Sequence, residues 1–206
     1  MTDAVEIVSD LVKIPSVSPF GRNETERRER FERCREVLAY LEEFLQKQGA
    51  QTEQLVFEGG HDKWWYPVPN LYAELTIGDR KAAGHKFLCY MGHIDVVPVG
   101  EEKLWRRPPF SGQIDEGFVW GRGATDMKGS VGAWMSALEE LKAGKGVGVN
   151  LTIGTLITGD EEWAAVNGSD KVLAWMKANG KNPDAFIVGE PSSRDYLGTH
   201  IKTGRR

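Results

Sequence analysis

Hydrophobic residues recur every three or four positions in four segments of the chain, which is the pattern of an α-helix packed along one side. The first segment stops at a proline-containing stretch, and the second begins after Asn23, a residue type favoured at helix N-caps. The pattern therefore predicts four helices, over residues 3–13, 24–49, 128–141 and 170–178.

Shorter runs rich in Val, Ile, Leu and aromatic residues lie between these helices, bounded by Gly, Pro and Asp, as is typical of β-strands. The predicted strands cover residues 55–57, 71–75, 87–91, 117–120, 149–158 and 185–188. Because strands alternate with helices and no internal repeat or linker interrupts them, we predict an α/β fold. Its sheet is expected to be mixed, mostly parallel, and sandwiched by helices.

Composition narrows the class of protein. The 206 residues are 40% hydrophobic and 27% charged, as in ordinary globular domains, and the net charge of -4 argues against a nucleic-acid partner. No segment has the length or apolar character of a membrane span or signal peptide, so no membrane partner is expected. Cys34 and Cys89 lack metal-type spacing, which predicts two buried free thiols and a cytoplasmic protein.

Candidate chemistry begins where the apolar run 87–91 ends. His93 and Asp95 follow it two residues apart, so in an extended segment their side chains point the same way. Asp95 can then accept one ring N–H of His93 and leave the other nitrogen free for a metal ion. By itself, such a pair is more often a polar strand end than a metal site.

Further carboxylates follow the other predicted strands. Asp126 comes after a glycine-punctuated turn, Glu161 and Glu162 follow the strand 149–158, and Glu190 follows the last strand. Each has a plain alternative: Asp126 as a helix cap, the others as exposed loop acids. Taken together, the four carboxylates are expected to lie at the carboxyl edge of the sheet, where ligands bind in α/β proteins. Their mutual repulsion favours a bound divalent cation such as Zn²⁺, Mn²⁺ or Co²⁺.

The adjacent pair Glu161 and Glu162 indicates a type of reaction. Neighbouring side chains diverge, so one carboxylate can bind a metal while the other accepts a proton from an attacking water molecule. This division of roles is typical of metal-dependent hydrolases.

Five ordered motifs resemble those of the M20 family of dinuclear zinc amidohydrolases and exopeptidases. They are MGHIDVVP at 91–98, the segment 105–110 ending in PPF, GRGATDMKG at 121–129, TGDEE at 158–162 and VGEPSS at 188–193. The resemblance implies a zinc exopeptidase-like catalytic domain in which His93 and Glu190 bind one metal. It further implies that Asp126 bridges two metals, that Glu162 binds the second, that Asp95 orients His93, and that Glu161 is the general base. The peptide bond between Asp126 and Met127 is expected to be cis.

Residues 197–206 are similar to the corresponding segment of succinyl-diaminopimelate desuccinylases within that family. This similarity implies release of succinate from N-succinyl-LL-2,6-diaminopimelate, in lysine and cell-wall precursor synthesis, with Arg205 on a substrate carboxylate. A solvated Arg205 remains an alternative. Two alternative functions also stay open: another deacetylase or dipeptidase of the family, and a non-catalytic metal-binding module. Trp163 stands where the family commonly has a small residue, which leaves the substrate open.

Family members continue into a lid domain that mediates dimerisation, and then supply a last histidine to the second metal. The resemblance therefore implies that residues 1–206 form a partial catalytic domain, cut near the start of the lid, whose complete parent is a homodimer. We expect this polypeptide to bind one metal better than two and to be weakly active or inactive alone. Its substrate would be a small N-acyl amino acid.

Overall fold

Side-chain caps set the start of the first two helices. Asp3 accepts the N–H of Val5 at 3.0 Å, and Asn23 accepts the N–H of Glu26 at 2.9 Å. The computed structural model describes residues 2–18, 21, 23–59, 66–145 and 148–192. Over these residues the helices are α1 (Ala4–Lys13), α2 (Glu24–Lys47), α3 (Gly129–Glu140) and α4 (Ser169–Ala178).

A five-stranded sheet forms the centre of the fold, in the order β1-β2-β6-β3-β7. Its strands are β1 (Gln51–Phe57), β2 (Val68–Ile77), β3 (Lys86–His93), β6 (Leu151–Thr158) and β7 (Ala185–Val188). Among the described residues, β1–β2 and β2–β6 pair antiparallel, while β6–β3 and β3–β7 pair parallel. The predicted α/β fold with a mixed sheet between helices is confirmed, and its parallel part carries the candidate site.

Helices cover both faces of the sheet. On one face α1, α2 and α3 bury a cluster that includes Ile7, Leu41, Leu71, Val131, Met135 and Ile157. On the other face α4 packs Val172 and Met176 against Tyr72, Cys89 and Leu156. Burial of these side chains, at about 1.5–3 kcal/mol for each large one, fixes the sheet between its helices.

A small hairpin lies outside the main sheet. It pairs β4 (Gln113–Asp115) with β5 (Phe118–Trp120) across a turn in which Glu116 and Gly117 both have positive φ, 53° and 81°. Such a two-residue turn is typical of β-hairpins. The sequence pattern predicted β5 but missed β4, because three residues of mixed polarity give no periodic signal.

Candidate metal centre

Three of the predicted site residues converge at the carboxyl edge of the sheet. Nε2 of His93 lies 3.2 Å from Oδ1 of Asp126 and 3.2 Å from Oε1 of Glu190. One donor atom from each of the three lies within 4.8 Å of the others. Oε2 of Glu161 is 3.9 Å from the same nitrogen. We call His93, Asp126 and Glu190 the cluster.

Both ring nitrogens of the buried His93 face oxygen atoms. Nδ1 lies 2.9 Å from the backbone oxygen of Asp95, and since a carbonyl can only accept, Nδ1 carries a hydrogen. Nε2 then directs a lone pair at the carboxylates of Asp126 and Glu190 unless a proton or a cation lies between them. Burial lowers the pKa of His93, but hydrogen bonds to Asp126, Asp95 and Glu190 outweigh it and raise the pKa to about 12. This environment therefore favours a positive charge at Nε2.

The cluster fits a divalent metal ion. One imidazole nitrogen and two carboxylate oxygens form a donor set that suits Zn²⁺, Mn²⁺ or Co²⁺. Two ligands of a tetrahedral zinc ion lie about 3.4 Å apart, close to the observed 3.2 Å from Nε2 to each oxygen. Within the described ranges, no other group of His, Cys, Asp and Glu donor atoms meets this spacing.

Asp95 is fully buried, and its carboxylate holds the turn that carries the paired glutamates. Oδ1 accepts the N–H of Glu161 and Oδ2 accepts the N–H of Glu162, each at 3.0 Å, and Oδ2 also accepts the hydroxyl of Ser18 at 3.0 Å. The carboxylate lies 3.5 Å from Nδ1 of His93, farther than the backbone oxygen of Asp95 itself. Asp95 thus orients His93 mainly through its backbone, and it links the His93 loop to the glutamate turn through its side chain.

Asp160 is a second buried carboxylate under the same loop, and the sequence analysis missed it. Its oxygens accept the N–H groups of Ala165 and Asn167 at 3.1 and 3.0 Å and the hydroxyl of Tyr66 at 3.0 Å. Burial raises the pKa of Asp160 although these hydrogen bonds oppose the shift. Asp160 was overlooked because its partners are distant in sequence, and only its place before Glu161 offered a signal.

The two paired glutamates lie in different environments. The side chain of Glu161 is 31% exposed beside His93. Burial raises the pKa of Glu162 to about 7, and the negative charge of Asp126 adds to that shift. Glu162 is therefore electrostatically coupled to Asp126, although it is not one of the three residues of the cluster.

The loop that carries Asp126 has an unusual backbone and is held by two side chains. Gly123 has a φ of 84°, and the peptide bond between Asp126 and Met127 is cis, as the family resemblance implied. The sulfur of Met127 accepts the backbone N–H of His93 at 3.3 Å. Lys128 is fully buried, which lowers its pKa to about 7, and its Nζ donates to the backbone oxygens of Leu11 and Ile14 at the end of α1. The sequence analysis assigned no role to Lys128.

A cavity of about 180 Å³ opens beside the cluster. Residues from β3, β6, β7 and the start of α4 line it, including Met91, Thr158, Ser169, Asp170 and Val188. Its walls thus combine apolar side chains with the carboxylates of Glu161 and Glu190. Such a combination of walls is typical of pockets that bind small molecules.

Other residues considered in the sequence lie elsewhere. Arg205, His61 and His200 fall outside the described residues. His85 lies at the opposite end of the sheet, where its Nε2 is 3.0 Å from the hydroxyl of Thr152. Both cysteines are free and buried, as predicted. None of the helices in the described ranges combines the length and apolar character needed to cross a bilayer.

The fold and the cluster define a class: α/β proteins that hold a histidine and carboxylates at the carboxyl ends of parallel strands. The sequence profile of peptidase family M20/M25/M40 matches residues 89–203, which include every residue of the cluster. The chain belongs to this family of hydrolases, as the motifs indicated.

The chain is also similar in sequence to curated proteins. Succinyl-diaminopimelate desuccinylases from Xanthobacter autotrophicus and Rhodospirillum centenum are 37% and 40% identical to this chain. The alignments cover 97% and 99% of this chain but 46% and 47% of those proteins. The chain therefore spans about half the length of the curated relatives it matches.

Two experimental structures share the fold. A metallo-carboxypeptidase of the M20 family from Sulfolobus solfataricus is 26% identical, with a TM-score of 0.70 over 93% of this chain and 38% of its own. Human carnosine dipeptidase 1 is 25% identical, with a TM-score of 0.74 over 92% of this chain and 38% of its own. The expected zinc exopeptidase-like fold class is thus confirmed.

Proposed function

We propose that this chain is the metal-binding part of an amide hydrolase that releases succinate from N-succinyl-LL-2,6-diaminopimelate. Membership of the M20 family and the desuccinylase relatives support this substrate. The observation that carries the proposal is the surroundings of His93, whose Nδ1 donates to a backbone oxygen while Nε2 faces two carboxylates. That arrangement suits a metal ligand and is unfavourable for a neutral, metal-free histidine.

In this proposal His93 and Glu190 would hold one metal ion, Glu162 would hold a second, and Asp126 would be a ligand shared by both. Zn²⁺ is the proposed ion, with Co²⁺ or Mn²⁺ as substitutes. A bound zinc ion supplies polarisation of the amide carbonyl and lowers the pKa of water. The last ligand of the second metal is not among these residues, so we expect the polypeptide to bind one ion more tightly than two.

Glu161 is the proposed general base. Its carboxylate lies 3.9 Å from Nε2 of His93 and is partly exposed, so it borders the cluster without being enclosed by it. Asp95 holds the backbone of Glu161 in place. The carboxylate takes a proton from the attacking water and later delivers it to the nitrogen of the leaving amine, so that one proton is accepted and one returned.

The remaining parts of the proposal concern the substrate and its setting. Arg205 is proposed to contact a substrate carboxylate, for which a guanidinium group is well suited. We expect the reaction in the cytoplasm, where the free thiols Cys34 and Cys89 stay reduced. A homodimer of the complete protein remains a prediction.

A chimera tests the substrate. We would replace the matching 46% of the Xanthobacter autotrophicus desuccinylase with this chain and assay it with Zn²⁺ against succinyl-diaminopimelate, N-acetylornithine and dipeptides. Preference for the succinylated substrate supports the proposal, and preference for either alternative contradicts it. We expect the chain alone to turn over the same substrate weakly or not at all, and strong hydrolysis by it would contradict the expected need for the remaining residues.

Glu161→Gln separates chemistry from metal binding. We expect the chimera with this change to lose about 10²- to 10⁴-fold in kcat while its Zn²⁺ content stays the same, because the amide cannot accept a proton. Glu101→Gln is the matched control, since Glu101 is an exposed acid outside the cluster. An unchanged kcat for Glu161→Gln would show that Glu161 is not the general base.

A dipeptidase is the second candidate, and Trp163 is the observation that favours it. Trp163 directly follows Glu162, is 45% exposed, and lines a cavity of about 410 Å³ with Arg30, Pro98 and Val99. An exposed indole beside a cavity suits an apolar substrate side chain. If this candidate is correct, the chimera hydrolyses dipeptides with apolar side chains. Trp163→Gly then raises the KM for these dipeptides more than the KM for succinyl-diaminopimelate.

A further inference from the structure

Lys128 makes contacts that the chemistry of the cluster does not use. Its side chain is fully buried, and Nζ donates to the backbone oxygens of Leu11 and Ile14, each at 2.8 Å. Leu11 lies in the last turn of α1, and Ile14 is the residue after its end. Lys128 itself lies two residues after Asp126, in the loop that brings Asp126 to the cluster. One side chain therefore connects that loop to the end of α1.

The end of α1 does not need Lys128 as a cap. The oxygen of Leu11 also accepts the N–H of Ile14 at 3.3 Å, and the oxygen of Ile14 also accepts the N–H of Ser16 at 2.9 Å. Both carbonyls thus keep a donor without Lys128. Since burying an ammonium group is unfavourable, an apolar side chain of similar volume would suit a purely structural position better.

The segment that accepts hydrogen bonds from Lys128 continues toward the residues that follow His93. We call residues 14–18 the brace. Ser16 donates its hydroxyl to the oxygen of Ile94 at 2.6 Å, and Val17 pairs with Val96 in a parallel bridge. The brace therefore runs beside the residues that follow His93.

The far end of the brace contacts the carboxylate behind His93. Ser18 donates its hydroxyl to Oδ2 of Asp95 at 3.0 Å, and its N–H bonds to the oxygen of Val96 at 3.0 Å. Lys128 at one end and Ser18 at the other thus attach the Asp126 loop and the His93–Asp95 segment to the same five residues.

We propose that Lys128 is a positioning residue for the metal centre, which it serves by fastening the Asp126 loop to the brace. The separation between Asp126 and His93 is then set by a buried polar link as well as by the loop itself. This inference rests on the proposed metal site, and it assigns Lys128 no contact with metal or substrate.

Lys128→Met tests the link, because it keeps an unbranched apolar side chain and removes the donors. Ser9→Ala is the matched control: it removes a buried hydrogen bond of the same helix, from Ser9 to the oxygen of Gly112 at 2.7 Å, at a point away from the brace. For each protein we would measure the Zn²⁺ dissociation constant by chelator competition, the visible absorption of bound Co²⁺, and urea unfolding without metal.

Ser9→Ala is expected to be less stable than the wild type, whereas Lys128→Met should not be, because both carbonyls keep a donor and the methionine side chain is apolar. Only Lys128→Met should raise the Zn²⁺ dissociation constant, by about 10- to 100-fold, and change the Co²⁺ spectrum, because residues that support metal ligands typically have effects of this size. If Lys128→Met changed the Zn²⁺ dissociation constant no more than Ser9→Ala does, this inference would be overturned and the proposed metal site would stand. A wild-type chain that binds neither ion overturns the proposed metal site, and this inference with it.

Ser18→Ala tests the same brace from its other end and keeps the inference falsifiable if Lys128→Met fails to fold. It should also raise the Zn²⁺ dissociation constant. Combined in one protein, the two changes should weaken binding by less than the product of their separate effects, since both release the same segment. Unchanged Zn²⁺ binding by Ser18→Ala, or fully independent effects, would overturn the role of the brace.

Discussion

His93 and Thr158 are register partners at the carboxyl ends of the parallel strands β3 and β6. The backbone N–H of Ile94 donates to the oxygen of Thr158 at 2.9 Å, which extends the contact one residue beyond β3. The loop after His93 and the loop with the paired glutamates therefore leave the sheet side by side. This pairing lets the carboxylate of Asp95 hold the backbone of Glu161, 66 residues away in sequence.

Asp95→Asn should disturb that connection. An amide supplies one accepting oxygen where the carboxylate supplies two, so a partly buried N–H of Glu161 or Glu162 loses its acceptor. We expect the free energy of unfolding to fall by about 1–3 kcal/mol and Zn²⁺ binding to weaken. Urea unfolding and chelator competition measure the two effects.

Asp79→Asn is the control for the substitution itself, because Asp79 accepts the N–H of Lys81 at an exposed turn. Its effect on stability should be small and its effect on Zn²⁺ binding absent. If Asp95→Asn behaved like Asp79→Asn in both measurements, the carboxylate of Asp95 would not hold the glutamate turn.

Glu74→Gln should give a pH-dependent loss of stability. Burial raises the pKa of Glu74, but hydrogen bonds from Tyr72, Lys181 and Arg80 outweigh it and hold the pKa below its usual range. A lowered folded-state pKa stabilises the fold above the unfolded pKa of about 4.3, and that stability is lost as the pH falls through the folded value. The variant should be about 1–3 kcal/mol less stable at pH 7.

Urea unfolding at a series of pH values from 7 to 3 measures this dependence. The difference between the wild type and Glu74→Gln should be constant well above the unfolded pKa and shrink toward the acid end. Glu53→Gln, at an exposed position of β1, should show little difference throughout. A gap for Glu74→Gln that stayed constant down to pH 3 would contradict the assigned direction of the pKa shift.

Gly189→Ala should distort the cluster by overpacking. A Cβ at this position would overlap the hydroxyl of Tyr90 and lie 2.6 Å from Oγ of Ser130 and 2.7 Å from Cε of Met127. We expect about 1–3 kcal/mol of destabilisation and weaker Zn²⁺ binding, since Glu190 is the next residue. Adding Tyr90→Phe removes the nearest atom, so the double variant should recover part of the lost stability and part of the Zn²⁺ binding. If the double variant recovered neither, the strain would arise from another contact.

The two cysteines should be unreactive in the folded protein. Cys34 and Cys89 are buried, and burial raises the pKa of both thiols, that of Cys89 to about 12. Thiolate, the reactive form, is therefore scarce at pH 8. A chromogenic disulfide reagent should label neither thiol in buffer and both in concentrated urea, and rapid labelling of one thiol in buffer would show that its burial is incomplete.

Local patterns predicted much of this protein. The helical period, with a cap at Asn23 and a proline-containing stretch after the first helix, predicted α1 to α4 within a few residues of their observed ends. The period is visible because each helix buries one continuous apolar side. Apolar runs predicted the strands of the main sheet, and polar residues directly after them indicated where chemistry collects. Those features are encoded within short stretches of chain, so they can be inferred without knowing which elements are neighbours.

Long-range contacts decided the rest. The sequence placed Asp95 behind His93, but only the pairing of β3 with β6 brings its carboxylate to the backbone of Glu161 and Glu162. The sequence indicated no role for Lys128 beyond the start of a helix, because the oxygens that accept its hydrogen bonds lie 117 and 114 residues away. The types of residue that meet at the site were thus determined by the sequence pattern. Their distances and buried hydrogen-bond partners were decided by tertiary packing, since these depend on elements that are remote in sequence.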